Sequence, residues 1–501
     1  MLQTKNFQPR QYQEAIFLTI KQYNTLVVLE TGLGKTSLAL MLSLHHLQND
    51  LTKKIIILAP SRPLISQHHR YFLHHSTLDP VDLALVTGKI PPPQRKALYK
   101  QSLIILSTPQ CINNDLINSL FSLENISLIV FDEAHHAIQN YSYVNIARLY
   151  KQQSTNPHIL ALTASPGNTK EKIKEICNNL LIEKTEIRTE KDEDVKPYIK
   201  DKQVSWFTID LDEPLLNIIS KIKQFHTSKL RDLKHLGITK PINLINKRDL
   251  LDIQSRFRQQ LQQKNPIAFH AISLASQLIK TSHLIDTLET QGISTALKYI
   301  KKLESESTKA SSIILNNQNI KLAISSLNSI KDTYTHPKIR YLSSIIQEQL
   351  LKNKDSKIII FINFRDTIDE ILKEIKNLPH IKPTILIGQK QGLSQKAQIQ
   401  TIRDFENNLF NVLLCTSIGE EGLSIGTLDI AIFYDSVPSA IRRIQRTGRV
   451  ARIKPGKIIH LIASGTKDSA YYWKSKRDES TMKSLLYKMQ DSQNKETQST
   501  L

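Results

Sequence analysis

Thr25-Leu-Val-Val-Leu-Glu-Thr-Gly-Leu-Gly-Lys-Thr36 begins with five residues of strand character, passes two glycines and runs into a stretch with helical spacing. An apolar run without polar alternation is what a strand covered on both faces requires, so the segment points to a parallel sheet packed between helices. The glycines let backbone N–H groups turn inward around a phosphate, Lys35 adds a cation, and Thr36 offers a hydroxyl to Mg²⁺. Leu29, Glu30, Thr31, Gly32, Leu33, Gly34, Lys35 and Thr36 are therefore the candidate nucleotide cradle. The strict phosphate-loop pattern has Gly or Ala five residues before Gly34, where Leu29 stands, and a glycine turn with a chance lysine is the alternative on this segment alone.

The strand rhythm continues on both sides. Short Ile, Val and Leu runs recur at Lys54–Ala59, Leu103–Ser107, Leu128–Phe131 and Ile159–Thr163, and again at Lys357–Ile362, Thr384–Ile387, Asn411–Cys415, Ile430–Tyr434 and Lys457–Leu461. Strands alternating with helical stretches argue for two α/β domains, each a doubly wound parallel sheet. From about 211 to 330 the rhythm stops, and apolar residues fall three and four apart. Leu215, Ile218, Ile219 and Ile222 make one such stripe, and Leu274, Leu278, Ile285 and Leu288 another that runs out at Gly292. An all-helical insertion between the sheets is the expectation. The boundaries are set at 1–205 for the first sheet domain, 206–335 for the insertion and 336–475 for the second sheet domain. The polar stretch 476–501, poor in apolar anchors, is expected to be a frayed, disordered tail.

Leu128-Ile-Val-Phe-Asp132-Glu133-Ala-His135 puts two carboxylates at the C-terminal end of a buried strand, the edge where open α/β sheets bind ligands. Asp132 is the candidate Mg²⁺ ligand, through water, and Glu133 the group that orients and deprotonates an attacking water. In Gln445-Arg-Thr-Gly-Arg449-Val-Ala-Arg452, the two arginines lie three apart and share a helix face. Guanidinium forks suit a γ-phosphate gaining charge as it leaves. Gln445, Arg449 and Arg452 thus join Lys35, Asp132 and Glu133 as candidate catalytic residues, the arginines acting as fingers from the second domain. A basic face that only touches solvent or nucleic acid is the alternative.

The chain has 501 residues, enough for about three domains, and a net charge of +21, which favours a polyanionic partner. Residues 221–330 alone carry about +10 of it. Cys111, Cys177 and Cys415 show no paired spacing, so neither a disulfide framework nor zinc is expected. The histidine pairs His45-His46, His68-His69, His74-His75 and His135-His136 lack Cys or acidic partners at ligand spacing and read as surface or core residues. No apolar run reaches the length of a spanning helix and the first ten residues lack a secretory core, so no membrane is expected and the compartment is read as cytoplasmic.

The motif set resembles superfamily 2 helicases of the DEAH-box kind. Arg10-Gln-Tyr-Gln13 resembles their adenine-reading element and implies nucleotide contacts from Arg10 and Gln13. Ala59-Pro-Ser-Arg62, Thr87-Gly88 and Thr108-Pro109 resemble strand-tracking motifs, and Thr163-Ala-Ser165 the element that couples hydrolysis to domain movement. Phe361-Ile-Asn-Phe-Arg365 and Thr416-Ser-Ile-Gly-Glu-Glu-Gly-Leu423 resemble second-domain motifs. Leu288-Glu-Thr-Gln-Gly292, Gly392-Leu-Ser-Gln395, Val437-Pro-Ser-Ala-Ile441 and Ala470-Tyr-Tyr-Trp473 are similar to the archaeal Hef and Fanconi anaemia group M family.

That resemblance implies two RecA-like motor domains, ATP with Mg²⁺, and a thumb-like insertion that favours forked or branched DNA. Arg62, Thr108 and Thr416 are the implied phosphate contacts of the motor. In the insertion, Arg256, Arg258, Lys298, Lys301 and Lys302, with Lys247 and Arg248, are the candidate branch-binding face. The family's nuclease half, with its Glu-Arg-Lys motif, has no counterpart here, so the chain is expected not to cut DNA, and a separate nuclease subunit is a candidate partner. Ser424 stands where the family carries Asp, which weakens one charge-assisted bond by about 1–2 kcal/mol. An RNA-directed relative of the RIG-I-like and Dicer kind, or a non-catalytic branch-binding scaffold, are the alternative readings.

Overall fold

The computed structural model describes residues 2–199, 202–238, 240–261, 266–388, 394–416, 428–436 and 456–499. Seven strands form the first sheet: β1 Thr25–Leu29, β2 Lys54–Leu58, β3 Leu83–Val86, β4 Ile104–Ser107, β5 Ile126–Asp132, β6 Ile159–Thr163 and β7 Lys184–Arg188. Their order is β3-β4-β2-β5-β6-β1-β7, and every pairing is parallel. The second sheet holds β8 Lys202–Ile209, β9 Ile358–Phe361, β10 Pro383–Leu386, β11 Val412–Cys415, β12 Ile430–Phe433 and β13 Gly456–Ala463. It is parallel too, in the order β10-β11-β9-β12-β13-β8. The five residues of β1 are all buried, as are the four of β9 and of β12, because helices cover both faces of each sheet. The two doubly wound parallel sheets expected from the sequence are present.

Three strands escaped the sequence reading, and all three are sheet edges. β3 and β7 close the two sides of the first sheet, and β8 closes one side of the second. An edge strand has a neighbour on one side only and can keep polar residues; β7 alternates buried with half-buried positions. The chain enters the second sheet early, since β8 starts before the expected boundary at 205 and pairs with β13 along its whole length.

The insertion is helical: Glu213–Lys234, Lys247–Leu261, Pro266–Thr290, Ile293–Ser305, Lys309–Asn316 and Gln318–Ile330. Leu215, Ile218, Ile219 and Ile222 pack on Leu284, Ile285 and Leu288 in one core. Leu274 and Leu278 belong to a second core with Leu230, Leu233, Leu250 and Ile253, so the long third helix serves both. It ends at Thr290, and Gly292 with φ +112° turns the chain into the next helix.

The expected tail is corrected by the structure. Lys467–Ser499 is one helix, rooted on the second sheet and reaching the first. Near its start, Asp468 accepts a hydrogen bond from the fully buried Lys338, and Tyr472 meets the His460 ring edge-on at 5.1 Å. About three turns after Tyr472, Met482 and Leu486 sink into the first-domain core beside Ile173, Ile176 and Leu180. The few apolar residues of this stretch are spaced to fall on one helical face, and two buried side chains suffice to dock it. No helix among the described residues is long and apolar enough to cross a membrane. Leu486→Ala is expected to destabilise the first domain by about 3 kcal/mol, read as a lower midpoint in chemical denaturation. An unchanged midpoint would contradict the docked helix.

Candidate active site and nucleic-acid interface

The turn after β1 is built around Gly34, which caps the helix Lys35–Asn49 in the left-handed conformation, φ +77° and ψ +38°. A Cβ there would stand 2.2 Å from Gln13 Nε2, so conformation and space both select glycine. Gln13 is buried and donates to the Leu33 and Gly34 carbonyls at 3.4 Å, while its Oε1 accepts from Arg10 N–H at 3.0 Å. Tyr12 O–H donates to Leu33 O at 2.9 Å. The Arg10 guanidinium donates to Tyr12 Oη and lies 5.3 Å over the Tyr198 ring. The helix Gln11–Ile20 thus grips the loop from outside. Lys35 Nζ donates to Leu29 O at 3.0 Å, which parks the ammonium at the strand end. Glu30 pairs with Lys483 Nζ at 2.7 Å, and Thr36 is half-buried at the start of its helix.

Asp132 ends β5, separated from β1 in the sheet by β6. Its Oδ1 accepts from Glu133 N–H at 3.0 Å and its Oδ2 faces His68 Nε2 at 2.8 Å. Tyr143 O–H donates to the Asp132 carbonyl at 2.7 Å. Glu133 has φ +50°, ψ +51°, a left-handed conformation that costs a non-glycine residue on the order of 1 kcal/mol or more and turns the carboxylate off the strand end. Its Oε2 is buried without a hydrogen bond, with His135 Nδ1 at 3.3 Å. Burial alone would raise the Glu133 carboxyl, but the His135 contact and the charges of His135, Lys35 and His136 outweigh it and hold it below the ordinary carboxylate range. His135 Nδ1 also meets Thr163 Oγ1 at 3.2 Å, and Thr163 Oγ1 accepts from Ser165 N–H at 3.1 Å. The acidic pair is thereby joined to the end of β6.

Thr108 occupies the N-cap of the helix Pro109–Ile117 without a side-chain capping bond, which leaves its hydroxyl free of that task. Arg62 is exposed, starts its own helix, makes no ion pair among the described residues, and reaches to 4.0 Å from where a Gly88 Cβ would stand. Thr416 is nearly fully buried after β11 and is the least accessible of the three. Arg256, Arg258, Lys301 and Lys302 are exposed. Lys298 instead pairs with Asp366 of the second domain at 2.5 Å, so it belongs to a junction. Burial, and then the charges of Lys247, Lys302 and Lys467, depress the His283 imidazole against the opposing pull of Asp286. His283 lines a cleft of about 170 Å³ with Asp286, Asn363, Phe364, Lys467 and Tyr471, where the insertion meets the second domain. Gln445, Arg449, Arg452, Ser424, the segment Val437–Ile441, Gly392 and Leu393, and all of Thr416–Leu423 beyond Thr416 lie outside the described residues.

With this geometry in place, residues 10–173 match the DEAD/DEAH box helicase family and residues 337–454 the helicase conserved C-terminal domain. Residues 216–334 match the helical bundle of a family described as proposed ATP-dependent RNA helicases. The Hef helicase domain of Pyrococcus furiosus superposes with a TM-score of 0.71 at 41% identity, over 93% of this chain and 98% of that one. The chain belongs to the Hef-type DEAD/DEAH box helicases. Among curated relatives, Methanocaldococcus jannaschii MJ1505, whose name proposes an ATP-dependent RNA helicase, is 38% identical over 98% of this chain and 62% of its own length. The ATP-dependent DNA helicase fml1 of Schizosaccharomyces pombe is 30% identical over 94% of this chain and 58% of its own. The ATP-dependent DNA helicase mph1 of Neurospora crassa is 31% identical over 92% and 41%. The chain therefore spans roughly half the length of these relatives.

Sequence reading of this helicase passed over His68, His135 and Lys483. The first two were set aside as structural members of histidine pairs, yet each faces a carboxylate of the acidic pair. Lys483 lay in the stretch expected to be frayed. The packing at Gly34 has a measurable consequence: Gly34→Ala displaces the Gln13 amide, and ATP affinity is expected to fall about tenfold for the two hydrogen bonds lost. Gln13→Ala added to Gly34→Ala should cost nothing further in a nucleotide-binding titration.

Proposed function

We propose that this helicase couples ATP hydrolysis to movement along forked or branched DNA, remodelling junctions in replication-fork repair. The reading is carried by the phosphate loop on β1 and the Asp132–Glu133 pair on β5, which meet at the C-terminal edge of one sheet. DNA as the substrate is supported by the names of fml1 and mph1, and by the local basic charge of the insertion.

When a triphosphate arrives, Lys35 exchanges Leu29 O for the β and γ oxygens, and the amides of the glycine turn face the β-phosphate. Glu133, held ionised beside His135, orients a water and takes its proton through the buried Oε2. Arg449 and Arg452 are proposed to complete the site from the second domain, with Gln445 beside them. Thr36 and Asp132 offer hard oxygen donors of the kind Mg²⁺ takes, and the ion would offset charge on the phosphates. Arg62 and Thr108 are proposed to hold DNA phosphates, which lets a motor step over any sequence. A nuclease acting on the same junctions is a proposed partner, and a cytoplasmic location fits this work.

A second reading is RNA as the substrate, supported by the names of MJ1505 and of the bundle family. Competition between forked DNA and double-stranded RNA in the ATPase assay separates the two, and preference for RNA would overturn the first. Lys35→Ala is expected to abolish turnover while DNA binding persists, whereas Glu133→Gln should bind ATP and lose roughly 10²-fold or more in hydrolysis. Reversing the charges of Arg256, Arg258, Lys301 and Lys302 should weaken fork binding and flatten its log–log salt slope by about 0.9 per phosphate contact removed. A slope that stays the same would remove these residues from the interface.

A further inference from the structure

Glu30 connects β1 to the glycine turn, one residue beyond the Leu29 carbonyl on which Lys35 rests. Its carboxylate points away from solvent, with the side chain 17% exposed, and its partner comes from 453 residues further along the chain: Lys483 Nζ, at 2.7 Å. Lys483 is held from its own helix by Glu479 at 3.0 Å. The residue before it, Met482, is 1% exposed, and its sulfur accepts from Ser165 O–H at 2.9 Å. One face of this helix therefore touches the residue that enters the glycine turn and, through Ser165, the loop two residues past the β6 end. Further along, Tyr487 donates to Asp192 Oδ2 at 2.6 Å, Gln490 to Glu186 Oε2 at 2.9 Å, and Lys184 Nζ to Gln493 O at 2.9 Å.

The same helix is rooted in the second domain by Lys338–Asp468, a pair in which both side chains are buried, and by Tyr472 against His460. An unbroken helix of this length spans about 50 Å at ~1.5 Å per residue and transmits displacement along its axis. An uncompensated carboxylate at Glu30 would repel an incoming triphosphate and leave the loop entrance without its tether. We propose that Lys483 is a positioning residue for the nucleotide site: it neutralises and holds Glu30, and thereby ties ATP affinity to the placement of the second domain. The inference rests on the reading of Glu30 to Thr36 as an ATP site. Burial works against the Lys483 ammonium, yet Glu30 and Glu479 hold its pKa above the ordinary lysine value, so the charge is present throughout the working range.

The test is DNA-stimulated ATPase kinetics and titration with a fluorescent ATP analogue on the full chain, with thermal unfolding alongside. Lys483→Met is expected to raise KM and the analogue Kd about tenfold, as for one charge-assisted bond, with kcat changed by no more than about threefold. Lys483→Arg should stay near wild type, since it keeps the charge. Glu30→Gln should shift KM in the same direction, and the double variant K483M/E30Q should be no worse than K483M, because both act through one contact. A purely structural helix contact would lower the melting temperature and leave KM in place. Nucleotide affinity in K483M within about twofold of wild type, or effects of the two variants that multiply, would overturn the proposal. Should K483M fail to fold, E30Q decides: wild-type affinity there overturns the proposal equally. Failure of the underlying ATP-site reading looks different, since wild-type protein itself would then neither bind nor hydrolyse ATP.

Discussion

Gly34 adopts φ +77°, and Gln13 Nε2 fills the volume where its Cβ would stand, so the phosphate loop and the N-terminal helix can close on each other only around a glycine. From that close approach follows the packing of the rest of the loop. Gln13 and Tyr12 occupy the loop's outward carbonyls. Lys35 takes the strand-end carbonyl, and Glu30 is left to a partner from elsewhere in the chain. A parallel sheet supplies the frame, because its connections place every loop of this kind on the same edge.

On that edge, polar contacts run without a break from the acidic pair to the C-terminal helix. Glu133 faces His135, His135 meets Thr163, Thr163 holds Ser165, and Ser165 reaches Met482. Lys483, the next residue, returns to Glu30. The groups proposed to cleave ATP and the loop proposed to bind it are thus joined twice: through the sheet, and through a helix rooted in the other domain.

How much of this was legible in the sequence depends on what each residue is surrounded by. Interior strands such as Ile358–Phe361 announce themselves because both faces are covered and every position is apolar. Leu83–Val86, Lys184–Arg188 and Lys202–Ile209 pair with a strand on one side only, keep polar or short patterns and were missed. The glycine turn and the acidic pair stood out in the sequence, since the chemistry expected of them constrains residue type at fixed spacing, and the structure puts both at the C-terminal edge of one sheet. His68 did not, because a buried histidine facing a carboxylate looks in sequence like any other; neither did Lys483, whose partner lies 453 residues away. The C-terminal helix was missed for a related reason: it docks through Met482 and Leu486 against a surface made by distant segments, and its own composition gives little sign of a core.

The insertion is fastened to the second domain by buried contacts rather than by surface charge. Gln291 donates to Asp435 Oδ1 and Asn363 N–H to Asp435 Oδ2, both at 2.5 Å, while Thr367 O–H donates to Gln291 Oε1 at 2.8 Å. Lys298–Asp366 and Lys467–Asp286 add ion pairs at the margin. Burial raises the Asp435 carboxyl, while the Lys338 charge and the bonds from Gln291 and Asn363 pull it back, so losing the Gln291 contact would remove one of the groups that compensate a buried carboxylate. The insertion and the second domain are thus joined by buried hydrogen bonds as well as by ion pairs. Arg62 and Thr108, by contrast, stand on the first domain. The proposed phosphate contacts are thus divided between the first domain and the basic insertion.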